Sequence, residues 1–137
     1  MVNSNCVSFD GVDGYGDMNN FLESSDLLSG TGVTFACWAK TKGGTGARML
    51  FAHRDSAKPL LQASIHNTNG FTAQFRTSSV EITTSTNNTV TETEWNHYAV
   101  VWDFQNELQI GYVNGIEVFS DSITISGTLT SSTTLLG

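Results

Sequence analysis

Apolar and polar residues alternate along much of this chain, and a period of two residues is that of a β-strand. The clearest case runs from Val33 to Lys40, where every second residue is apolar and is expected to face the core. These residues are Val33, Phe35, Cys37 and Ala39. No segment has a helical period, and Phe21 to Ser29 is predicted to be an irregular or one-turn helical connection. The pattern therefore predicts an all-β fold.

Turn-forming residues divide the remaining strand-like sequence into hairpins. Leu60 to His66 and Phe71 to Thr77 flank the turn Asn67-Thr68-Asn69-Gly70. A second hairpin, from Tyr112 to Phe119, turns at Asn114-Gly115. Further strands are predicted at Val7 to Asp10, Arg48 to His53, Val80 to Thr84 and Trp95 to Asp103. Short strands at this spacing, with one proline in the chain, predict a β-sandwich.

Length and charge narrow the class of partner. At 137 residues the chain has the size of one domain, so residues 1–137 are predicted to form a single unit. Charged residues make up only 14% of it, so Ser, Thr, Asn, Gln and Gly must cover much of the surface. The formal charge is -7 and no cluster of Lys or Arg forms a phosphate-binding face, which argues against a nucleic acid partner. The N-terminus shows no signal-peptide pattern. No apolar stretch is long enough for a membrane helix, so membrane insertion is not expected.

The two cysteines, Cys6 and Cys37, allow either one disulfide bond or two free thiols. Each lies in an apolar, strand-like segment, where unpaired cysteine commonly acts as a small hydrophobic residue. This favours two buried thiols, and the cysteine pattern does not fix the redox compartment.

Three blocks of sequence resemble the laminin-G-like branch of the concanavalin A-like lectin and glucanase superfamily. The first is Val7 to Tyr15, in which Gly14 stands where the family usually has a second Asp. The second is Val33 to Lys40. The third is Trp95 to Asp103, followed by Tyr112-Val113-Asn114-Gly115. The blocks occur in the family's order across most of the chain, and the resemblance implies a two-sheet antiparallel jelly-roll sandwich.

The resemblance also implies a closing strand of the form Gly-x-Ile-Asp-Glu-Val-x-Ile-Tyr, whereas this sequence stops at Leu135-Leu136-Gly137. Without that strand, the sheet that carries the second block would keep an open edge. Two explanations stay open. The sequence is a fragment, which is the favoured one, or a neighbouring chain completes the sheet.

Catalytic chemistry finds little support in the sequence. Related jelly rolls include glucanases with paired carboxylates in a Glu-x-Asp-x-x-Glu motif, which is absent here. The nearest pair, Glu92 and Glu94, falls in a polar turn and is predicted to be solvated. His53, His66 and His97 have neither a nucleophile motif beside them nor metal-ligand spacing, and a structural role is favoured for His97. The sequence therefore predicts no catalytic residues and argues against an enzyme.

Calcium is the one ion that the resemblance brings in, since laminin-G-like domains in several branches hold it at the sandwich rim with carboxylates and carbonyls. The candidate ligands are Asp10, Asp13, Asp17, Asp103 and Asn106. Aspartate beside glycine also suits a tight turn, and that interpretation is favoured because Gly14 replaces a family Asp. No other cofactor is indicated.

Sugar binding would need an aromatic platform beside hydrogen-bonding groups. Trp38, Tyr98 and Trp102 are candidates, although the place of Trp38 and Trp102 in the family's pattern favours packing. Asn67 and Asn69 in one rim loop, with the loop from Thr41 to Gly46, are favoured as ligand contacts, because loops on a rigid sandwich carry recognition.

These features lead to three hypotheses about function. The first is a non-catalytic recognition module that binds a glycan or a surface protein through rim loops, outside a cell or on a virion. The resemblance extends to laminin-G-like proteins of bacteriophage particles, which act as capsid decorations, fibres or adhesins. The second is a structural assembly subunit, either a homo-oligomer or one completed by virion neighbours. The third is a binding module from a secreted glycanase or adhesin.

Overall fold

The computed structural model describes residues 6–9, 15–18, 30–41, 46–54, 59–66, 70–86, 93–126 and 133–136. Within these ranges the chain forms ten β-strands and no helix. The strands are β1 (Gly16–Asp17), β2 (Gly32–Ala39), β3 (Arg48–Arg54), β4 (Pro59–His66), β5 (Gly70–Arg76), β6 (Glu81–Ser85), β7 (Asn96–Asp103), β8 (Leu108–Val113), β9 (Ile116–Ser122) and β10 (Thr133–Leu136).

The strands form two sheets whose apolar sides meet in one core. The larger sheet has six strands in the order β1-β10-β3-β4-β5-β6, and the smaller has four in the order β2-β7-β8-β9. All neighbouring strands run antiparallel. The predicted all-β sandwich is therefore confirmed.

Inward-facing residues of β7 and of the β4–β5 hairpin make up the centre of the core. In β7, Tyr98 is 1% exposed, and Val100 and Trp102 are 0% exposed. Across the core, Leu61 of β4 pairs with Phe75 of β5, and both are fully buried. Burial of side chains of this size contributes roughly 1.5–3 kcal/mol each to folding, so this alternation holds the two sheets together.

A buried chain of hydrogen bonds also joins the sheets. The indole Nε1 of Trp102 donates to Oε1 of Gln109 at 2.8 Å. The amide Nε2 of Gln109 donates to Oγ1 of Thr84 at 3.0 Å and to the carbonyl of Ala73 at 3.4 Å. Thr84 then donates to Oδ2 of Asp121 at 2.6 Å. Buried polar groups are costly when they are unpaired. This network therefore fixes the position of β8 and β9 relative to β5 and β6.

The edge strand β2 is less deeply covered than its neighbour β7. Its apolar face, predicted to face inward, does pack against the core, but its members are only partly buried. They are Val33, Phe35, Cys37 and Ala39. Because β2 pairs with β7 and with no other described strand, its inner side chains are covered mainly from one side.

Both predicted hairpins are confirmed. The first joins β4 to β5, with Leu61, Ala63 and Ile65 on the buried face. The second joins β8 to β9 through Asn114 and Gly115, whose φ angles are 52° and 80°. Positive φ at both central residues is the geometry of a type I′ turn, which matches the twist of the flanking strands.

The start of the chain differs from the prediction. Residues Val7 to Phe9 are not in a strand, and Val7 is 78% exposed. A high strand propensity stabilises a strand only when a neighbour accepts its hydrogen bonds, and no described strand pairs with this segment. Conversely, Thr133–Leu136 forms β10 and pairs with β3, a strand that the sequence pattern did not indicate. The connection from Phe21 to Ser29 lies outside the described residues.

The cysteines are free thiols, but only one is covered. Cys37 in β2 is half-buried, and desolvation raises the pKa of its thiol to about 11. Cys6 is exposed and lies outside any strand, in contrast to the prediction of two buried thiols. Across the described ranges, no helix has the length and hydrophobicity needed to cross a membrane.

Candidate functional site

The three aromatic residues considered for sugar binding lie in two different environments. Tyr98 and Trp102 are core residues of β7, and the Trp102 indole N–H is already bonded to Gln109. Neither ring can present a face to a ligand. Both pack in the core, which is the role that the sequence favoured for Trp102. Trp38, for which packing was also favoured, is instead 65% exposed on the outer face of β2.

Among the described residues, Trp38 has one ring neighbour on this outer face. It pairs with His97 of β7, and the two ring centroids are 5.4 Å apart at an angle of 59°. His97 is held at the backbone, because its N–H donates to Oδ1 of Asn114 at 2.9 Å and Asn114 Nδ2 donates to Asn96 Oδ1 at 2.8 Å. The aromatic pair therefore stands on a rigid part of the sheet.

Beside this pair, the outer face of the sheet carries small side chains. Ala36 of β2 pairs with Ala99 of β7, which in turn pairs with Tyr112 of β8. From the strand spacing, the Cα atoms of Trp38 and Tyr112 lie about 12 Å apart. We call this part of the outer face the aromatic trough: the small residues Ala36 and Ala99 form its floor, and the larger side chains of Trp38, His97 and Tyr112 flank them.

A carboxylate marks the far rim of the trough. Glu117 of β9 pairs with Tyr112 and is exposed. At the near end, Lys40 follows β2 and is also exposed. The trough thus combines aromatic walls with polar groups at its edges, which is the composition of a site for an amphipathic ligand.

A depression of about 290 Å³ lies at the other end of the same sheet face. It is lined in part by Thr31, Gly32, Asp103 and Gln105. The carboxylate of Asp103 already accepts hydrogen bonds within its own turn. Its Oδ1 accepts hydrogen bonds from the backbone N–H groups of Gln105 and Asn106, and its Oδ2 accepts one from Asn106 Nδ2 at 2.8 Å. The one aromatic residue that lines this depression, Trp102, is 0% exposed and cannot present its ring to a ligand, so we place the candidate site in the trough.

The calcium candidates are not brought together among the described residues. Asp103 and Asn106 form the turn just described, and the side-chain and backbone hydrogen bonds from Asn106 hold the pKa of the Asp103 carboxyl below its usual range. Asp17 lies in β1, in the other sheet. Asp10 and Asp13 lie outside the described residues. In the described part of the chain, no three His, Cys, Asp or Glu side chains cluster as metal ligands would.

Most residues of the rim loops that the sequence favoured for ligand contact lie outside the described residues. Asn67 and Asn69 are not among the described residues, and of the loop from Thr41 to Gly46 only its two ends are. Glu94 is exposed in the turn before β7, as predicted, whereas Glu92 falls outside the described ranges.

The outer face of the six-stranded sheet has a different chemistry. Gln62 pairs with Gln74, and Gln74 Nε2 donates to Oε1 of Glu81 at 2.8 Å. Ser64 pairs with Thr72 in the next row. The described strand residues on this face include amides and hydroxyls, and the imidazole of His66 at the end of β4, but no Trp, Tyr or Phe.

Two further histidines lie apart from the trough. His53 of β3 is 0% exposed, and its burial lowers the pKa of the imidazole. His66 ends β4 on the surface. Among the described residues, neither belongs to a group of three His, Cys, Asp or Glu side chains that could hold a metal ion.

Sequence reasoning missed Ala36, Ala99, Tyr112 and the outward position of His97. A signal was present, because alternation puts His97 and Ala99 opposite the buried Tyr98 and Val100. The alignment of β7 with β8 could not be read from alternation alone. It depends on the register that places Ala99 opposite Tyr112.

Solved structures with a similar fold include the CBM40 module of the Ruminococcus gnavus IT-sialidase bound to α2,3-sialyllactose, with a TM-score of 0.69 and 15% identity over 82% of this chain and 67% of that chain. The NanB sialidase from Streptococcus pneumoniae matches with a TM-score of 0.67 and 21% identity, over 89% of this chain but only 21% of its own. Domains LG4-5 of the mouse laminin alpha1 chain match with a TM-score of 0.61 and 12% identity, over 76% and 27%. At these identities the likeness is one of fold.

Curated protein sequences gave no match to this chain. A family model described as the concanavalin A-like lectin/glucanases superfamily matches residues 10–137. That match covers both sheets of the sandwich and all of the three sequence blocks except the first three residues of the first block. The chain therefore belongs to the concanavalin A-like lectin/glucanases superfamily.

Proposed function

We propose that this protein is a non-catalytic glycan-binding module whose ligand lies in the aromatic trough. The observation that carries the proposal is Trp38, a large aromatic ring that is 65% exposed on the outer face of the edge strand β2. Burial of such a ring is favourable, and folding leaves this one in water. A ligand that covers the ring would therefore bind with the free energy of burying it.

The arrangement of the trough suits a pyranose ring. A sugar presents C–H groups on one face and hydroxyls around its edge, so it packs its face on an aromatic ring and hydrogen-bonds sideways. Trp38 and Tyr112 supply rings on either side of the alanine floor, and Glu117 supplies a hydrogen-bond acceptor at the rim. The trough has this one carboxylate among its described residues, whereas glycoside hydrolysis generally uses a pair, which supports binding without catalysis.

The comparisons support this class of ligand. The CBM40 module of similar fold is bound to α2,3-sialyllactose, a glycan, and the NanB neighbour is a sialidase. These are properties of those proteins. They add to the argument from the trough because a sandwich of similar fold binds a glycan.

A glycan array followed by calorimetry tests the proposal. Trp38→Ala is expected to weaken binding of the array's best ligand about tenfold or more, since aromatic contacts in a binding site are worth roughly 0.5–1.5 kcal/mol beyond their buried area. Trp38→Phe should keep part of the affinity.

The matched control is Ile116→Ala, because Ile116 is similarly exposed, at 69%, but lies outside the trough. This variant should bind as the original protein does. Binding that survives Trp38→Ala unchanged would exclude the trough as the site, and an array with no bound glycan would exclude the function.

Location on an extracellular or virion surface is part of the same proposal. It is supported by the low content of charged residues and by the resemblance to laminin-G-like particle proteins. Mass spectrometry of purified particles and of the medium from the source would test it, and recovery of the protein only inside cells would contradict it.

A second candidate function, strand-mediated assembly, is favoured by the edge of β2. This strand pairs on one side with β7, and its inner face stays partly buried. The strand Gly32–Ala39 has no charge, proline or bulge of the kind that blocks edge pairing. Addition of a strand from a neighbouring chain would cover that edge.

Light scattering after size exclusion tests assembly. Thr34→Lys should convert an oligomer into monomers, because a lysine on the edge strand opposes pairing with a second strand. Thr83→Lys, on the edge strand β6 of the other sheet, is the matched control and should leave the oligomer intact. A monomeric original protein would contradict self-assembly.

A further inference from the structure

We infer that the ligand of the aromatic trough is a neutral oligosaccharide, and that it extends past the trough toward Trp95. This inference rests on the proposed glycan-binding function and names the ligand class of the same site. It differs from what the neighbour bound to sialyllactose would suggest, since sialic acid is an anionic sugar.

The charges on this face oppose an acidic sugar. The described outward-facing residues of the four-stranded sheet include two carboxylates, that of Glu117 at the trough and that of Asp103 at the other end of the face, and one ammonium group, that of Lys40 at the near end of the trough. None of these described residues is an arginine, the side chain that binds carboxylates in a bidentate manner. Because Glu117 pairs directly with Tyr112, its charge lies at the wall of the trough itself.

The net charge of the protein acts in the same direction. The formal charge is -7, so the potential around the chain is negative and disfavours the approach of anions. A neutral sugar does not experience this repulsion. Its hydroxyls can instead donate to the Glu117 carboxylate, which gives that group a favourable role.

Aromatic residues continue the trough in one direction. Trp95 immediately precedes β7 and is 47% exposed, while the next residue, Asn96, is only 7% exposed. Continued alternation therefore puts Trp95 on the same face as His97. From Trp95 past His97 to Tyr112 the Cα atoms span roughly 14 Å, about the length of three linked pyranose rings.

Each aromatic residue on this line can carry a separate sugar unit. Neighbouring members are two residues apart along β7, or lie diagonally across the β7–β8 pair, where long side chains stay within reach of each other. A ligand with several sugar units can therefore contact all of them at once, whereas a monosaccharide contacts one or two. Affinity should rise with chain length until the line is filled.

The test uses an array of neutral oligosaccharides of increasing length, each beside its sialylated counterpart, followed by calorimetry on the best neutral series. We expect neutral ligands to bind more tightly than their sialylated counterparts by about threefold or more, from like-charge repulsion at the rim. Trp95→Ala should remove the gain in affinity from the last sugar unit and leave shorter ligands unaffected.

Glu117→Lys separates charge from shape. If the rim carboxylate causes the preference, this variant should bind the sialylated ligand at least as well as the neutral one. Preferential binding of sialylated ligands by the original protein, or an affinity that does not change with length, would overturn this inference and leave the proposed function in place. Binding of no glycan at all would remove the proposed function and this inference together.

Discussion

The two faces of the four-stranded sheet hold tryptophans in opposite situations. On the inner face, Trp102 is 0% exposed and its indole N–H donates to Gln109. On the outer face, Trp38 is 65% exposed beside His97. The two residues lie on neighbouring strands, so strand propensity does not distinguish them. Their environments differ because β7 is covered by the second sheet on its inner side, while the outer side of β2 is not.

The first prediction compares stability directly and has the largest expected effect. Trp102→Ala should destabilise the protein by about 3–5 kcal/mol, because it removes a fully buried ring and leaves a cavity. Trp38→Ala should change stability by less than about 0.5 kcal/mol, as is usual for an exposed site. Urea unfolding measures both, and equal losses in the two variants would end the distinction between the faces.

The second prediction concerns the hydrogen bonds that only the inner face needs. Gln109→Leu should cost about 1–3 kcal/mol, since it leaves the buried Trp102 N–H without its acceptor. The matched control is Gln74→Leu on the outer face of the six-stranded sheet, where solvent can replace the bond to Glu81. Urea unfolding should show a small change for the control, and a similar loss in both would mean that burial of the network contributes little.

The third prediction uses pH to separate a buried histidine from a surface one. Burial lowers the pKa of His53 in the folded state, so protons bind the unfolded state more readily. The stabilising contribution of neutral His53 is therefore complete above about pH 6.5 and decreases as the pH falls below that value, by at most about 1.4 kcal/mol per pH unit. Unfolding measured across this range should show the slope.

Two variants assign that slope to its source. His53→Gln should flatten the dependence of stability on pH in this range. His97→Gln, a variant of the half-buried histidine on the outer face, should leave the dependence in place. A slope that persists in His53→Gln would show that another group is responsible.

The fourth prediction has the smallest effect on stability and acts on the outer face alone. Ala99→Leu fills the floor of the aromatic trough and should change the free energy of unfolding by no more than about 0.5 kcal/mol. It should nevertheless abolish glycan binding, because the added side chain occupies the space between Trp38 and Tyr112. Thr83→Leu on the other sheet is the control, and calorimetry that finds unchanged binding in Ala99→Leu would place the ligand elsewhere.

Several parts of the fold could be read from local chemistry. The β8–β9 hairpin was predictable because Asn114-Gly115 can adopt positive φ, and the β4–β5 hairpin because apolar residues alternate on both sides of its turn. The face of β2 was predictable for the same reason. Val7 to Phe9 has the composition of a strand but no described partner strand, so its propensity was not sufficient.

The candidate site could be predicted only in part. Trp38 was singled out by its residue type and its position in an alternating strand. Its partners could not be, because Ala36 and Ala99 have no chemical signal of their own and matter only through the space that they leave. Tyr98 and Trp102 were considered together with Trp38, and their burial between the sheets separates them from it.

The sequence by itself determined the strand class, the turns and the superfamily, since these depend on residues that are close along the chain. The tertiary structure alone decided which tryptophan meets solvent, which rows of side chains form the trough, and where Glu117 stands relative to Tyr112. The physical reason is register. Residues far apart in sequence become neighbours only through strand pairing, and a shift of one residue would exchange the buried and exposed faces.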